Sequence, residues 1–380
     1  SLPEDVLAEP CAAPIPPATI AAPAQPAPAD VARLAAMLRG AERPIILAGH
    51  AIDTEGGREA LLAFAEAWQT PVAVSFRRQD LFPNNHPLYA GDLGLRNPDA
   101  QRAAFADADL VVALGTRLTD ITTQGWTWPA PGQRLAHICA EPRFLGWHFP
   151  AELAVAADAR AVLAALGAEK PAAPASRGAW AKKLRDLQTA DSQVAATTHN
   201  DGVAFARIAK LIGEIAAPDA MIALDAGTFG APFYRKIAWV SPRRLLAPVA
   251  GSMGFGVPAG VAAALRHPNR QVIALVGDGG AFMTGGEFAV AVARGVPLKM
   301  ILSDNGSYAS IRIHQERAHP GRVSGTSLEN PDFAAWCAAF RVPVTRIETD
   351  ADMPKLAEAL AAPGPAAVHV RTSLQAVLPK

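Results

Sequence analysis

The sequence predicts an α/β protein made of two doubly wound, parallel-sheet domains. Three observations carry this. Short, almost wholly apolar runs recur along the chain, as strands buried on both faces require, and 50% of the 380 residues are hydrophobic, enough for two cores. Stretches of helical character separate those runs, so successive strands are joined by helices and lie parallel. Two segments rich in Ala and Pro, within residues 1–30 and again at 168–178, cannot bury a core and divide the chain.

Taken in order, prolines at positions 10, 14, 16, 17, 23, 26 and 28 make residues 1–30 an extended linker. The first domain, 31–168, opens with a helix over 31–39 and a strand over Pro44–Gly49. A helix from about Gly57 to Trp68 leads to a strand at Pro71–Val74. Asp109–Gly115 and Leu135–Ile138 are further strands, and 153–158 with a helix over 159–166 closes the unit. Gly49 and Gly115 end strands, as ligand-binding edges often require. No G-x-G-x-x-G follows either, so a dinucleotide site lacks its motif.

Residues 169–200 read as a second linker with a lead-in helix at 180–187. The last domain, 201–376, has a helix at 205–215, a strand at 221–225 and a tight turn at 226–230. A glycine-crowded loop at 250–258 precedes a helix over 259–265. Strands follow at 271–276 and 298–303, and the closing strands are 342–346 and 366–371.

The last domain is organised around Gly277-Asp278-Gly279-Gly280 and Asn305, 27 positions after the aspartate. Asp278 and Asn305 each follow a buried strand of one βαβ unit, so both reach the carboxyl edge of a parallel sheet, where such sheets bind ligands. A carboxylate, an amide oxygen and a nearby backbone carbonyl are hard donors suited to Mg²⁺ or Ca²⁺. Gly279 and Gly280 keep the loop bare and offer N–H groups to an anion. Thr284-Gly285-Gly286-Glu287 has capping-box spacing for a helix over 288–293, which Gly295 and Pro297 end.

Composition excludes other classes. Acidic and basic side chains balance at 35 each, so neither a nucleic-acid footprint nor a basic membrane-surface patch is expected. No apolar run approaches the roughly 20 residues of a membrane span. Cys11, Cys139 and Cys337 are few, scattered and without metal-ligand spacing, which fits a reducing cytoplasm.

The run from Gly277 to Arg312 resembles the metal-diphosphate motif of thiamine diphosphate (ThDP) enzymes, with Met283, Glu287 and Pro297 at the family's Met, Glu and Pro positions. Ala250–Pro258 is similar to a second motif of that family. Residues 31–168 resemble the central domain of the acetolactate synthase and 2-oxo-acid decarboxylase group, through Phe82-Pro83, His86-Pro87 and Gly115-Thr116-Arg117.

The resemblance implies a C-terminal domain binding ThDP and Mg²⁺. Asp278, Asn305 and the backbone oxygen of Ser307 would hold the metal. Gly277, Gly279, Gly280, Thr228, Tyr308 and Ala309 would line the diphosphate. Met253, 25 residues before Asp278, would wedge the cofactor into its reactive shape, and the carbonyl of Gly251 would accept from its aminopyrimidine. Thr228-Phe229 stand where relatives often have Gln-His, Ala309 replaces a frequent Gly, and Asp304 replaces the first Asn of a common pair. FAD, held by some relatives in the central domain, is left open by the resemblance and unsupported by motif.

The family's activating glutamate lies in an N-terminal pyrimidine-binding domain supplied by a neighbouring subunit of a homodimer or homotetramer. Leu2–Val6 resembles the end of that domain, so the domain itself is expected to be absent from these 380 residues and the fragment inactive alone. The implied function is a 2-oxo-acid carboligase or decarboxylase, acetolactate synthase-like. The alternatives are an aldehyde-releasing decarboxylase, and a non-catalytic partner subunit or half of a split enzyme. His86 reads as a loop residue; a polar loop over 314–327 could cover the site, and Arg312, His314 and Gln315, which could touch substrate, read instead as solvated or structural.

Overall fold

The computed structural model describes residues 2–14 and 16–379. It contains two six-stranded sheets in which every pairing is parallel. The first comprises β1 Pro44–Ala48, β2 Val72–Ser75, β3 Tyr89–Leu93, β4 Leu110–Leu114, β5 Arg134–Ile138 and β6 Leu153–Val155, in the order β3-β2-β1-β4-β5-β6. The second comprises β7 Met221–Leu224, β8 Arg244–Leu246, β9 Val272–Gly277, β10 Leu298–Asp304, β11 Val344–Ile347 and β12 Ala366–Arg371, ordered β11-β12-β10-β9-β7-β8. Apolar clusters pack on each sheet. Among the described residues no helix is long and apolar enough to cross a membrane.

The expected two-domain architecture is present, with four departures. The strands β3 and β8 carry charges that disguise them: Asp92 in β3 accepts from Arg235, and Arg244 opens β8 to meet Asp53 and Asp80. The helix Asp99–Ala106 was also outside the periodic pattern. The supposed lead-in helix of the 169–200 linker is Ser176–Asp191, and it belongs to the first domain, where Trp180 and Leu184 pack with Leu47, Ala73 and Phe105. Its Arg177 is buried and donates to the carbonyls of Leu38, Ala41 and Trp68, closing two helix C-termini that no side chain of their own caps. Finally, residues 4–8 of the expected linker are helical and its end, from Pro28, starts the first long helix.

The seam between the domains is charged. Asp80, 7% exposed, sits between Arg58 of the first domain at 2.9 Å and Arg244 of the second at 3.2 Å, and also accepts from the Leu245 amide at 3.1 Å. Asp53 joins the same pair of arginines at 2.9 and 3.0 Å. Burial opposes ionisation of Asp53, but the charges of Arg58 and Arg244 outweigh it and hold its carboxyl below the usual range. A second bridge pairs Arg235 with Asp92 at 2.8 Å.

A charge buried without its partner is costly. Asp80→Asn leaves Asp53 as the one carboxylate facing both guanidinium groups and should lower stability by about 1.5–3 kcal/mol. Asp186→Asn, at the exposed Lys182–Asp186 pair, should cost under about 1 kcal/mol. Urea denaturation of both variants checks this; equal losses would mean that the seam is not held by these charges.

Candidate functional site

In the second sheet Ser303 of β10 lies opposite Gly277 of β9, so the residues that follow each strand emerge side by side. Asp278 and Asn305 therefore meet as the spacing predicts. Asp278 is 4% exposed. Its Oδ1 accepts from the Gly279 amide at 2.9 Å; its Oδ2 accepts from the amides of Asn305 at 3.2 Å and Gly306 at 2.8 Å, and from Asn330 Nδ2 at 3.0 Å. Asn305 Oδ1 accepts from the Ser307 amide at 3.1 Å, and the Ser307 carbonyl from the Ala309 amide at 2.7 Å. Residues 326–328 strap this loop down: Ser307 Oγ and the Tyr308 amide both donate to the Thr326 carbonyl, and the Leu328 amide to Gly306.

The capping box expected at Thr284 is not formed. The helix starts at Asp278 itself and runs to Thr284, followed by a 3-10 turn at Gly285–Glu287 and a helix at Phe288–Arg294. Thr284 instead donates its hydroxyl to the Gly254 carbonyl at 2.6 Å, tying this helix to the loop that carries Met253. Gly279 and Gly280 are thus helical rather than a bare loop. Their missing side chains make room for neighbours: the Tyr308 ring and the Met253 methyl crowd Gly279, and the Asp225 carboxylate crowds Gly280.

Sequence reasoning missed Asp225, Asn330 and the partners of Asp304. Asp225, directly after β7, accepts from the amides of Ala226, Gly254 and Phe255 at 2.7, 3.0 and 3.1 Å, and so fixes the Met253 loop at the start of the helix Gly256–Arg266. Burial pushes its carboxyl up, and those amides oppose the rise. An aspartate that follows a strand 29 positions before the amide it holds gives no spacing signal. Asn330 precedes the helix Phe333–Ala338, which Asp332 caps. Its amide spans Asp278 Oδ2 and Asp304 Oδ1, at 3.0 and 2.7 Å. Asp304 Oδ2 takes the Nε2 of His369, from β12, at 2.9 Å.

The two carboxylates differ. Burial pushes Asp278 up, and the charge of Asp304 adds to the rise. Burial also disfavours the Asp304 anion, but His369 and Asn330 prevail and hold it low. Asn330 Oδ1, on the amide whose Nδ2 spans these acids, is buried with no hydrogen-bond partner among the described residues. An orphaned acceptor beside a carboxylate, an amide oxygen and a carbonyl is the environment that a hard cation and its water would satisfy. Among the described residues no three His, Cys, Asp or Glu side chains cluster to hold a metal, so a cation here must rely on this mixed oxygen set.

The remaining candidates are placed as follows. Gly251, with φ +80°, and Gly254, with φ +85°, bend the loop on either side of Met253. Thr228 is half-buried, its amide donating to Ser310 Oγ at 2.9 Å. Phe229 turns into the core against Phe205, Gly227 and Gly277. The stretch read as a loop over 314–327 is helical at its start, since the helix Ala309–Ala318 includes Arg312, His314 and Gln315; Gln315 holds Ser324. His86 bonds Glu66 and the Leu88 amide, a loop residue as read. In the first domain, Gly49 has no room for a side chain because the Gly115 carbonyl and Thr116 press on it, so loop packing accounts for that glycine.

Comparison with known proteins bears on this arrangement. The family model described as thiamine pyrophosphate enzyme, central domain, matches residues 31–166, and that for the C-terminal TPP binding domain matches residues 225–370. The chain is 29% identical over 363 residues to the acetolactate synthase large subunit of Parasynechococcus marenigrum, covering 92% of this chain and 57% of that protein. It is 28% identical over 346 residues to a probable acetolactate synthase large subunit of Methanocaldococcus jannaschii, covering 88% and 58%. Against acetolactate synthase isozyme 2 large subunit of Escherichia coli K12 it is 27% identical over 317 residues, covering 83% and 57%. The chain spans just over half the length of these relatives.

Gly280 gives a direct check on the geometry. In Gly280→Ala the new methyl meets the Asp225 carboxylate, which cannot withdraw without dropping the Gly254 and Phe255 amides. Despite alanine's better helix propensity, the variant should lose about 1–3 kcal/mol. A thermal melt as stable as wild type would mean that Asp225 is not locked in this position.

Proposed function

Because the chain belongs to the thiamine pyrophosphate enzyme family, with that family's central and C-terminal TPP binding domains, we propose that it forms the diphosphate- and metal-binding part of an acetolactate synthase-like enzyme acting on 2-oxo acids. The observation that carries this reading is the convergence of Asp278, Asn305 and Ser307 at the ends of β9 and β10, with Met253 lying against Gly279.

In this reading Asp278, Asn305 Oδ1 and the Ser307 carbonyl hold Mg²⁺. Gly277, Gly279, Gly280, Thr228, Tyr308 and Ala309 line the diphosphate, and Gly251 and Met253 hold the aminopyrimidine and the cofactor's shape. When bound, ThDP supplies an electron sink for loss of CO₂ from a 2-oxo acid. The chain's own contribution is positional. Three backbone amides and Asn330 fix the Asp278 carboxylate, and Asp225 and Thr284 fix the Met253 loop. The glutamate that activates the cofactor in this family is assigned to a pyrimidine-binding domain of a neighbouring subunit, which makes the proposed assembly a homo-oligomer.

Fluorescence titration of ThDP in the presence of Mg²⁺ tests the site. Asp278→Ala should abolish Mg²⁺-dependent binding, and unchanged affinity would sink the assignment. Asn330→Ala leaves two carboxylates without their shared donor; loss of such an orienting partner typically weakens metal affinity about 10–100-fold. Isothermal titration of Mg²⁺ against ThDP-saturated protein reads this, and a change below threefold would reduce Asn330 to a structural contact. The activity itself is checked on the full-length protein with pyruvate and larger 2-oxo acids. Released CO₂ with a ligated product identifies a carboligase, and free aldehyde a decarboxylase.

A further inference from the structure

Buried guanidinium groups are ordinarily paired, and most here are. Arg58, Arg235 and Arg244 face carboxylates. Arg177 and Arg243 are spent on backbone carbonyls. Arg77 differs from all of these. It lies just beyond the carboxyl end of β2, in the first domain, and is 8% exposed. It forms no ion pair among the described residues. Its Nε donates to the Tyr234 hydroxyl at 3.3 Å, its Nη1 to the Pro248 carbonyl, and the Phe76 ring lies 4.5 Å beneath it. Nη2 makes no hydrogen bond to the described residues.

Two further features point to a site. Arg77 has φ +64°, a left-handed backbone that costs a non-glycine residue about 1–3 kcal/mol and marks functional positions more than structural ones. The side chain so delivered crosses the domain seam to the loop that carries Met253. Pro248 receives one of its hydrogen bonds, and Nη1 lies 3.6 Å from where a side chain on Gly251 would begin. A desolvated cation with spare, fixed N–H donors is a receptor for a planar anion, which a guanidinium engages with two parallel hydrogen bonds.

We propose that Arg77 is the residue that binds the carboxylate of the 2-oxo acid, contributed across the seam by the first domain. This rests on the reading of the site given above. Phe76 covers one face of the guanidinium and the Tyr234 hydroxyl stands at its edge, so the remaining donors are left for one carboxylate, which a neutral aldehyde lacks. A second anion on the cofactor, its diphosphate, is assigned elsewhere, to Gly279 and Gly280 at the start of the helix Asp278–Thr284 and to the metal held by Asp278.

The test uses full-length protein, loaded with ThDP and Mg²⁺, and titrates oxamate, an unreactive analogue with a carboxylate beside a carbonyl, by NMR line broadening. Arg77→Met should weaken oxamate about 10–100-fold, the loss expected for a charged hydrogen-bonding partner, with ThDP affinity within twofold of wild type. Arg77→Gln keeps a donor for the Pro248 carbonyl and preserves the loop, so it carries the comparison if the methionine variant misfolds; the same loss is expected. Equal oxamate affinity in wild type and the variants, absence of oxamate binding in wild type, or a parallel fall in ThDP affinity would each overturn the proposal. Turnover is read separately. Oxamate binding lost on Arg77→Met in a protein that turns over no 2-oxo acid would keep the carboxylate site and remove the enzymatic reading.

Discussion

The register of β9 against β10 is the constraint from which the rest of the second domain follows. With Ser303 opposite Gly277, Asp278 and Asp304 leave their strands about one strand spacing apart, roughly 5 Å. A buried carboxylate and a partly buried one, set side by side, repel, and the structure answers with donors rather than distance. Asn330 gives an amide hydrogen to each, the Gly279, Asn305 and Gly306 amides surround Asp278, and His369 takes the far oxygen of Asp304. The outcome is asymmetric. Asp304 is held low by a cationic-capable neighbour, while Asp278 is pushed up by burial and by Asp304 itself. A carboxylate whose charge is disfavoured by its protein surroundings gains most from a cation, which is why the proposed reading takes Asp278 rather than Asp304 as the ligand.

The same economy of space explains the glycines. Each bare Cα in the Gly277–Gly280 run is filled from another element: Phe229 at Gly277, Tyr308 and Met253 at Gly279, Asp225 at Gly280. Four elements distant in sequence thereby share one small volume. A single displaced side chain would propagate into the Met253 loop through Asp225, and into the loop after β10 through Tyr308, whose amide is bound to Thr326. Close packing of this kind transmits shifts rather than absorbing them.

Much of the fold was legible in the sequence because parallel strands buried on both faces are continuous apolar runs. Pro44–Ala48, Leu110–Leu114 and Leu298–Asp304 announce themselves in this way. β3 and β8 do not, since each places charge at the domain seam, and local pattern cannot tell a seam from solvent. The helix Ser176–Asp191 was assigned to the wrong neighbour for a related reason: its proline-rich approach resembles a linker, yet Trp180 and Leu184 find their partners far upstream. At the candidate site, Asp278, Asn305 and Met253 were visible through spacing. Asn330, Asp304 with His369, and Asp225 were not, because they act through hydrogen bonds between residues 26 to 65 positions apart, and no one-dimensional period encodes those.

The seam connects these two lessons. Arg244 and Arg235 reach from the second domain to carboxylates of the first, and Arg77 reaches in the opposite direction to the Pro248 turn. Exchanged side chains of this kind leave little freedom for one domain to rotate without breaking a buried ion pair, which costs several kcal/mol. The loop that carries Met253 is therefore referenced to both sheets at once: to β7 through Asp225, to the helix after β9 through Thr284, and to β2 through Arg77. Its glycines at 251 and 254 would make it the most pliant part of the domain if it stood alone. Anchored on three sides, it becomes a rigid support, and rigidity rather than reactivity is what the role proposed for Met253 requires.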